Sequence, residues 1–414
     1  MILSIDQGTT GTTVLIFDSS GHIVGRSYNE FTQYYPQPGW VEHDPLELWE
    51  VSLKTIGQAL HDANIKAAEL SAIGITNQRE TVVVWDRETG EPVYNAIVWQ
   101  CRRSAALCDA LKKAGRESFI QASTGLRLDA YFSASKLQWL FNEKPELKQR
   151  ANNGELCFGT IDSWLIWNMT AGRAHVTDPT NASRTLLYNI ESASWDAELL
   201  ALFDVPAALL PTVKASAGWF ADTDPASFFG ASVPICGVAG DQQAALFGQR
   251  CISPGDIKNT YGTGCFMLMY AGACAGIKPP HSSHGLLTTV ACDAEGKAAY
   301  ALEGSVFTAG AAVQWLRDQL GLIENAADTE AIAASISDTR GVYLVPAFSG
   351  LGAPWWDMAA RGAITGLTAG VGSREIIRAT LEAIAYQSAE LALLMSAEAN
   401  AEIKTLRVDG GASA

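Results

Sequence analysis

A glycine- and threonine-rich turn between two strand-like runs occurs twice in this chain and constrains its fold more than any other feature. The first turn, at 8–11, separates the β-branched runs 2–5 and 14–17. The second, at 259–264, leads into the apolar, strand-like run 265–270. Glycine and threonine between β-branched runs are typical of turns that join strands. The repetition predicts a duplicated fold, although a chance similarity of turn composition is an alternative because the repeated pattern is only a few residues long.

Helix-like segments alternate with these strands. Asp44 followed by Pro45 is typical of a helix start, because Asp caps the first turn and Pro fits the first helical position. The apolar positions that follow predict one buried helix face, made of Leu46, Trp49, Leu53, Ile56 and Leu60. Alternating strands and helices predict the α/β class.

Composition excludes several classes of protein. The formal charge of −15 excludes a nucleic-acid binder held by a global positive field. The longest uncharged apolar-rich stretch, 265–277, has 13 residues, whereas a membrane span needs about 18 or more. The first residues show no basic region or cleavage site, so we expect a cytoplasmic protein without membrane insertion, whose eight cysteines are reduced thiols.

The first turn has the composition of a phosphate-binding hairpin. Its glycines let the backbone approach an anion, the hydroxyls of Thr9 and Thr10 can hold phosphate oxygens, and Asp6 can hold Mg²⁺ through water. An ordinary β-turn explains the same residues. The usual P-loop pattern is absent from the sequence, so a bound nucleotide must be held in another way.

An acidic residue follows the strand-like run 233–239. Asp241 stands where this run meets a predicted helix, and a carboxylate there can accept a hydroxyl proton during phosphoryl transfer. Simple capping of the helix is the alternative.

Arg79 and Glu80 form a third candidate group together with Trp99 and Tyr131. Adjacent opposite charges can bind vicinal hydroxyls while aromatic faces cover the C–H surface of a small polyol. The alternatives are a surface ion pair and ordinary core aromatics. His281 and His284 lie in a proline- and serine-rich segment, which we interpret as a solvated loop rather than a metal site.

Several motifs in this order closely resemble the FGGY carbohydrate kinase family, above all its glycerol-phosphorylating members. The similarity runs essentially from end to end, and two segments, 131–140 and 350–357, look like the two fingerprints of the family. The other matching segments are 6–10, 38–45, 74–81, 95–103, 177–184, 239–248 and 259–266.

The resemblance implies an actin-like, ribonuclease-H-like fold with a duplicated core, two lobes and a central cleft. We expect an N-terminal lobe at 1–250 with the glycerol pocket and the first phosphate hairpin, and a nucleotide-binding lobe at 251–414. The implied reaction is in-line transfer from ATP, with Mg²⁺, to glycerol, forming sn-glycerol 3-phosphate, and Asp241 is the implied base. The resemblance also implies a dimer or tetramer.

Carried over residue by residue, the resemblance implies two sets of ligands besides Asp6 at the metal. The implied glycerol pocket comprises Arg79, Glu80, Trp99, Tyr131, Asp241, Gln242 and Phe266. The implied nucleotide site comprises Thr9, Thr10, Gly11, Gly262, Thr263, Gly310, Gln314 and Gly411.

Three features depart from the family pattern. Thr13 stands where members commonly carry an arginine, so we expect a lost phosphate contact and a lower rate or nucleotide affinity. The segment 226–232 lacks the glycine-rich loop with an arginine, so we expect no inhibition by fructose bisphosphate through that loop. Family chains continue beyond the position of residue 414 with an adenine-contacting Asn, so we expect the second lobe to be incomplete here, and weak use of ATP by a polypeptide that ends at this residue.

Two alternatives to the phosphorylation of glycerol remain at this point. A related kinase for another small polyol or sugar could use the same fold, although the aromatic residues favour a small substrate. A non-catalytic actin-like module that senses nucleotide is the other alternative, and the polyol-type residues argue against it.

Overall fold

The computed structural model describes residues 1–275, 277–348, 350–357 and 360–413. These residues form two compact units. The first unit comprises 1–244 with 273–279 and 289–299, and the second comprises 245–272, 280–288 and the chain from 300 onward.

The first unit is built on a six-stranded sheet in the order β13-β14-β5-β1-β2-β3, with short two-stranded pairings around it. The strands up to residue 240 are β1 (Ile2–Gln7), β2 (Gly11–Phe17), β3 (Ile23–Glu30), β4 (Glu42–His43), β5 (Ala72–Asn77), β6 (Val83–Asp86), β7 (Ala96–Ile97), β8 (Leu156–Gly159), β9 (Val176–Thr177), β10 (Tyr188–Asn189), β11 (Ser194–Trp195), β12 (Thr212–Val213), β13 (Ala217–Asp222) and β14 (Pro234–Gly240).

The β1-β2-β3 meander is antiparallel, as the turn chemistry predicts. In β1, Leu3 and Ile5 are buried while the alternate residues Ser4 and Asp6 face the other side of the sheet. Strand β1 then runs parallel to β5, and β5 runs parallel to β14. These pairings bring the carboxyl ends of three strands to one edge of the sheet.

Helices cover this sheet and connect its strands. They are α1 (Pro45–Asp62), α2 (Ala105–Lys113), α3 (Glu117–Thr124), α4 (Ser133–Glu143), α5 (Pro145–Asn152), α6 (Ile161–Met169), α7 (Pro179–Ala182), α8 (Ala197–Leu202) and α9 (Asp241–Gly248). Single 3₁₀ turns lie at Ala67–Glu69 and Ala207–Leu209.

Helix α1 begins as predicted, because the Asp44 side chain accepts a hydrogen bond from the Leu46 backbone N–H and Pro45 opens the first turn. The predicted buried face is wrong in part. Leu46 is exposed, and the fully buried face is lined by small and polar residues as well as apolar ones: Leu48, Ser52, Thr55, Ile56 and Ala59. Small residues face the sheet because α1 lies close to it: a Cβ at Gly25 of β3 would lie 2.5 Å from the Ala59 carbonyl oxygen.

The second unit repeats the pattern of the first. A five-stranded sheet, most of which belongs to this unit, has the order β17-β18-β16-β15-β21, with β15 antiparallel to β16 and parallel to β21, as β1 is antiparallel to β2 and parallel to β5. The predicted duplication of an α/β core is therefore confirmed. The strands and helices are β15 (Ile257–Tyr261), β16 (Cys265–Ala273), β17 (Leu287–Cys292), β18 (Ala298–Val306), α10 (Gly310–Asp318), α11 (Asp328–Ala334), β19 (Tyr343–Val345), β20 (Ala363–Thr365), α12 (Ser373–Ala399) and β21 (Leu406–Asp409).

Two further findings bear on the sequence predictions. Among the described residues, no helix combines the length and the apolar character needed to cross a membrane. All eight cysteines lie in the described ranges, and none forms a disulfide there.

Candidate active site

The polar edge of the first sheet collects residues from three strand ends. Asp6 of β1 pairs with Thr76 of β5 in the parallel register, and Asn77 of β5 pairs with Gly240 of β14. The segments that follow, 78–80 and 241–243, therefore leave the sheet side by side. Parallel strands place ligand sites at their carboxyl ends, so this edge is the candidate active site of the first unit.

Arg79 and Asp241 form an ion pair at this edge. The Arg79 Nε lies 3.2 Å from the Asp241 Oδ1, and the Arg79 Nη1 donates to the Gln243 Oε1 at 3.1 Å. Arg79 is almost fully buried, whereas the Asp241 side chain is 37% exposed. A Cβ at Gly240 would lie 2.7 Å from the Arg79 side chain, so the guanidinium stem crosses β14 where glycine leaves room. The Asp241 carboxylate therefore reaches solvent while the buried Arg79 guanidinium holds it in place.

Glu80 is held from two sides by arginines. The Arg184 Nε lies 2.6 Å from the Glu80 Oε1, and the Arg79 Nε lies 3.8 Å from the same oxygen. Both charged residues of the 79–80 pair are buried, so the surface ion-pair alternative is wrong. Glu80 also has a φ of 62°, a left-handed conformation that is uncommon for a residue with a side chain. Such strain at a buried acid is typical of functional sites.

Asp6 shares this edge with Asp241. Its side chain reaches solvent, yet desolvation by surrounding atoms raises the pKa of Asp6 from 3.8 to about 6, and the negative charge of Asp241 contributes a smaller rise. Two carboxylates that disfavour each other's ionisation favour a bound cation.

The aromatic candidates Trp99 and Tyr131 contact each other edge to face, with ring centroids 5.5 Å apart. Both are partly buried. Tyr131 belongs to the turn before α4, whose carbonyls at 130, 131 and 132 accept hydrogen bonds from the fully buried Lys136 Nζ. Burial lowers the pKa of Lys136 to about 8. The aromatic pair therefore rests on a rigid backbone segment.

The first hairpin turn lies beside Trp99. The turn is closed by the Gly8 N–H, which donates to the Gly11 carbonyl at 3.0 Å, and Thr9 and Thr10 form its tip. The Trp99 Nε1 donates to the Thr9 Oγ1 at 3.0 Å, so the predicted phosphate hairpin and the predicted polyol residue touch. Gln242, the remaining polyol candidate of this unit, is buried and donates from its Nε2 to the Asp241 Oδ2 at 3.2 Å.

Within the second unit, the predicted nucleotide residues from three segments converge. The Gly310 N–H at the start of α10 donates to the Gly262 carbonyl at 3.0 Å, and a Cβ at Gly310 would lie 2.6 Å from that oxygen. The Thr263 carbonyl accepts from the N–H groups at 309 and 311. The turn with Gly411 follows β21 and is tied to the same hairpin by the 412 N–H, which donates to the Tyr261 carbonyl at 3.0 Å. A glycine-rich backbone surface results.

Two predicted residues of the second unit lie on its regular elements. Gln314 is exposed one turn into α10. Phe266 is partly buried in β16, opposite Thr260 of β15.

Sequence reasoning missed the residues that support the strand ends. The Gly240 N–H donates to the Thr180 Oγ1 at 2.8 Å, and Asn77 and Asn181 exchange two hydrogen bonds between their side-chain amides. Arg184, which holds Glu80, lies in the same 180–184 segment. That segment matched a family motif, but a motif gives no partner, and these contacts span 60 and 104 positions of sequence.

A cleft of about 770 Å³ elsewhere in the first unit contains none of the predicted site residues. It is lined by residues from 170–176, 212–225 and 232. Its cations have internal partners, since Arg173 pairs with Asp224 and the Lys214 Nζ donates to the Phe220 carbonyl. The converging polar groups lie at the strand ends instead, so we place the candidate active site there.

Comparison with known proteins agrees with this fold and these motifs. Residues 1–248 match the N-terminal domain of the FGGY family of carbohydrate kinases, and residues 257–414 match its C-terminal domain. The chain belongs to the FGGY family of carbohydrate kinases. Its duplicated, actin-like α/β fold is the fold of that family.

Within the family, the chain is similar to glycerol kinases. It is 55% identical to the glycerol kinase of Alkaliphilus metalliredigens over 411 residues, covering 99% of this chain and 81% of that protein. It is 56% identical to the glycerol kinase of Petrotoga mobilis over 412 residues, covering 82% of that protein. The crystal structure of Plasmodium falciparum glycerol kinase with ADP is 39% identical with a TM-score of 0.89, and the match covers 99% of this chain and 81% of that one.

Proposed function

We propose that this chain phosphorylates glycerol with ATP, forming sn-glycerol 3-phosphate. The observation that carries the proposal is the Arg79, Glu80 and Asp241 group at the shared strand ends, with one carboxylate reaching solvent. The identity of 55% with glycerol kinases supports glycerol as the acceptor.

Glycerol binding is assigned to complementary groups on adjacent residues. The Arg79 guanidinium supplies N–H donors and the Glu80 carboxylate supplies acceptors, which together match vicinal hydroxyls. The Trp99 and Tyr131 rings cover the C–H surface of a three-carbon substrate. Phe266 and Gln242 stay predictions as further contacts.

Asp241 is the proposed general base. One terminal hydroxyl of glycerol loses its proton to the Asp241 carboxylate while its oxygen forms a bond to the γ-phosphorus, and the bond between that phosphorus and the bridging oxygen breaks to release ADP. The Arg79 Nε, 3.2 Å from the Asp241 Oδ1, orients the carboxylate in advance, so less conformational freedom is lost when the substrate binds.

The nucleotide phosphates are assigned to Thr9, Thr10 and Gly11 in the first unit. The second-unit residues proposed for the rest of the nucleotide are Gly262, Thr263, Gly310, Gln314 and Gly411. Backbone N–H groups at glycine-rich turns suit anionic oxygens because they approach closely without a side chain in the way.

The donor set at the edge fits Mg²⁺. Asp6 is a solvent-reaching carboxylate beside a second one, and no group of three or more His, Cys, Asp or Glu side chains suited to a metal occurs among the described residues. Mg²⁺ typically keeps several waters and takes one or two carboxylates plus substrate phosphates, which agrees with this sparse set. When bound, it would neutralise charge on the transferred phosphoryl group, with Asp6 as its protein contact.

A substrate panel tests the proposal. The purified chain, MgATP and either glycerol, xylulose, gluconate or erythritol are assayed for ADP release, and glycerol 3-phosphate is measured directly with its dehydrogenase. We expect glycerol to give the highest kcat/KM. Faster turnover of another acceptor would reassign the substrate, and ATP hydrolysis that no acceptor stimulates would favour a nucleotide-sensing module.

Asp241→Asn tests the base. Removing a general base lowers kcat by about 10²–10⁴-fold, and glycerol binding should survive because Arg79 and Glu80 remain. Asp222→Asn, at the exposed end of β13 in the same sheet, is the matched control and should leave kcat unchanged. Near-normal kcat in the Asp241 variant would remove this residue from the mechanism.

A further inference from the structure

His43 lies fully buried at the end of β4, between two glutamine side chains. Its Nε2 lies 2.8 Å from the Gln33 Oε1, and its Nδ1 lies 3.4 Å from the Gln78 Nε2. Its ring also packs edge to face on Phe31, with centroids 4.9 Å apart. The imidazole therefore has a fixed orientation and a polar partner on each nitrogen.

The two glutamines connect His43 to opposite sides of the candidate site. The Gln33 Nε2 donates to the Thr9 carbonyl at 3.0 Å, at the tip of the first hairpin. The Gln78 Oε1 accepts from the Thr81 hydroxyl at 3.1 Å, and the Thr81 Oγ1 accepts from the Trp99 backbone N–H at 3.2 Å.

Trp99 closes these bonds into a ring, because its indole Nε1 donates to the Thr9 Oγ1 at 3.0 Å. This hairpin ring consists of six residues: Trp99, Thr81, Gln78, His43, Gln33 and Thr9. Every donor in it has an acceptor in the next residue.

The direction of these bonds assigns the imidazole tautomer. Thr81 donates to the Gln78 carbonyl oxygen, so the Gln78 NH₂ faces His43, although it also donates to the Gly8 carbonyl at 3.1 Å and the Gln7 Oε1 at 3.2 Å. An amide nitrogen cannot accept, so the 3.4 Å contact fits only an accepting Nδ1. The proton then sits on Nε2, which donates to the Gln33 oxygen and leaves the Gln33 NH₂ for the Thr9 carbonyl. Burial lowers the pKa of His43 to about 4, so the imidazole is neutral, as this pattern of hydrogen bonds requires.

The tether on the Thr9 carbonyl orients a hairpin N–H. In a trans peptide the carbonyl and the following N–H point in opposite directions, and the Thr9–Thr10 peptide is trans. Holding the Thr9 carbonyl toward Gln33 therefore turns the Thr10 N–H away from it. Within the part of the chain that the structure describes, neither the Thr9 nor the Thr10 N–H bonds to another residue. Both remain available to a phosphate oxygen.

We propose that His43 is a positioning residue for the nucleotide phosphates, acting through Gln33 on the Thr9 carbonyl. The inference rests on the proposed function of the first hairpin. It assigns His43 no contact with substrate and no proton transfer. The ring links the hairpin tip to the indole proposed to cover glycerol.

His43→Leu and Gln33→Leu test the inference by steady-state kinetics and by calorimetric titration with MgADP. We expect each variant to raise the KM for ATP and the Kd for MgADP about tenfold, the scale of one lost hydrogen bond near a charged ligand, while the KM for glycerol stays within about twofold. Gln33 is only partly buried, so its variant keeps the test open if His43→Leu does not fold.

Two further variants separate positioning from general structure. The double variant His43→Leu/Gln33→Leu should be no worse than the weaker-binding single variant, because both remove the same tether. His43→Gln offers a donor and an acceptor again and should recover most of the MgADP affinity. His175→Leu is the matched control: His175 also has a pKa lowered to about 4 by burial, and it bonds to the Phe158 carbonyl, away from the hairpin.

Three results would overturn the inference: unchanged MgADP affinity in folded His43→Leu or Gln33→Leu, multiplicative effects in the double variant, or an equal loss in His175→Leu. Wild-type chain that fails to bind MgADP would overturn it as well. Wild-type chain that binds MgADP but does not phosphorylate glycerol would refute only the proposed function, and the calorimetric arm would still decide the role of His43.

Discussion

Asp162 offers the sharpest quantitative test of the structure because it is a fully buried acid. It lies in the first turn of α6, where its carboxylate accepts hydrogen bonds from the Thr160 hydroxyl at 2.5 Å and the Thr177 hydroxyl at 2.6 Å. Desolvation, followed by the charge of Asp178, raises the pKa of Asp162 from 3.8 to about 7. No cation pairs with Asp162 among the described residues.

The sign of the effect follows from the raised pKa. Between about pH 4 and 7 the folded chain holds a proton that the unfolded chain has lost, so the free energy of unfolding falls as the pH rises. The slope is about 1.4 kcal/mol per pH unit, and the full penalty above pH 7 is on the order of 4 kcal/mol. Asp162→Asn removes the titration while its amide can still bond both threonine hydroxyls.

Urea unfolding of wild type and Asp162→Asn at pH 5, 6, 7 and 8 measures this penalty. Relative to wild type, the variant should gain about 3 kcal/mol between pH 5 and 7 and little more above pH 7. Asp86→Asn is the control, because the Thr89 backbone N–H leads the causes that lower the pKa of Asp86 below 3.8, so its effect on stability should stay constant from pH 5 to 8. A difference between wild type and Asp162→Asn that stays constant with pH would refute the reasoning.

Three further predictions concern the candidate site. Thr180→Val removes the 2.8 Å bond from the Gly240 N–H and should lower kcat about tenfold with the KM for glycerol nearly unchanged, measured by the coupled assay. Thr13 pairs across the strands with Asp6, so Thr13→Arg should lower the pKa of that acid; we expect kcat/KM for MgATP to fall on acidification near pH 6 in wild type and at a lower pH in the variant. Lys136→Met removes three hydrogen bonds to the backbone carbonyls at 130–132 and should raise the KM for glycerol several-fold. An unchanged KM would show that the turn before α4 keeps its conformation without Lys136.

Local sequence signals predicted the elements that carry this site. The β1–β2 hairpin, the helix start at Asp44 and the strand that ends at Gly240 all rest on turn and capping chemistry within a few residues. The duplicated core was predicted for the same reason, since its two hairpins repeat a local composition. The buried face of α1 was predicted in part wrongly, because helical spacing marks apolar residues but not how closely a sheet approaches.

The support of the site could not be predicted from local patterns. Arg79 and Glu80 as an adjacent pair have the composition of a surface ion pair, and their burial depends on residues far along the chain, Arg184 beside Glu80 and Gly240 beside Arg79. His43 gives no local signal either, because its partners come from Gln33 and Gln78 on different elements. The predicted insensitivity to fructose bisphosphate, the role of Phe266 and the assembly of the chain stay predictions.

The bare Cα at position 240 restricts how this protein can change by mutation. Arg79 occupies the volume that any side chain there would need, with its Cγ and Cδ at 2.7 Å from a would-be methyl group. Random mutagenesis with selection for growth on the acceptor should therefore return only glycine codons at this position. On the proposed assignment of Trp99 and Tyr131 to glycerol, we expect new substrate preferences to arise at these two residues, because the strand beneath Arg79 leaves no space for a side chain.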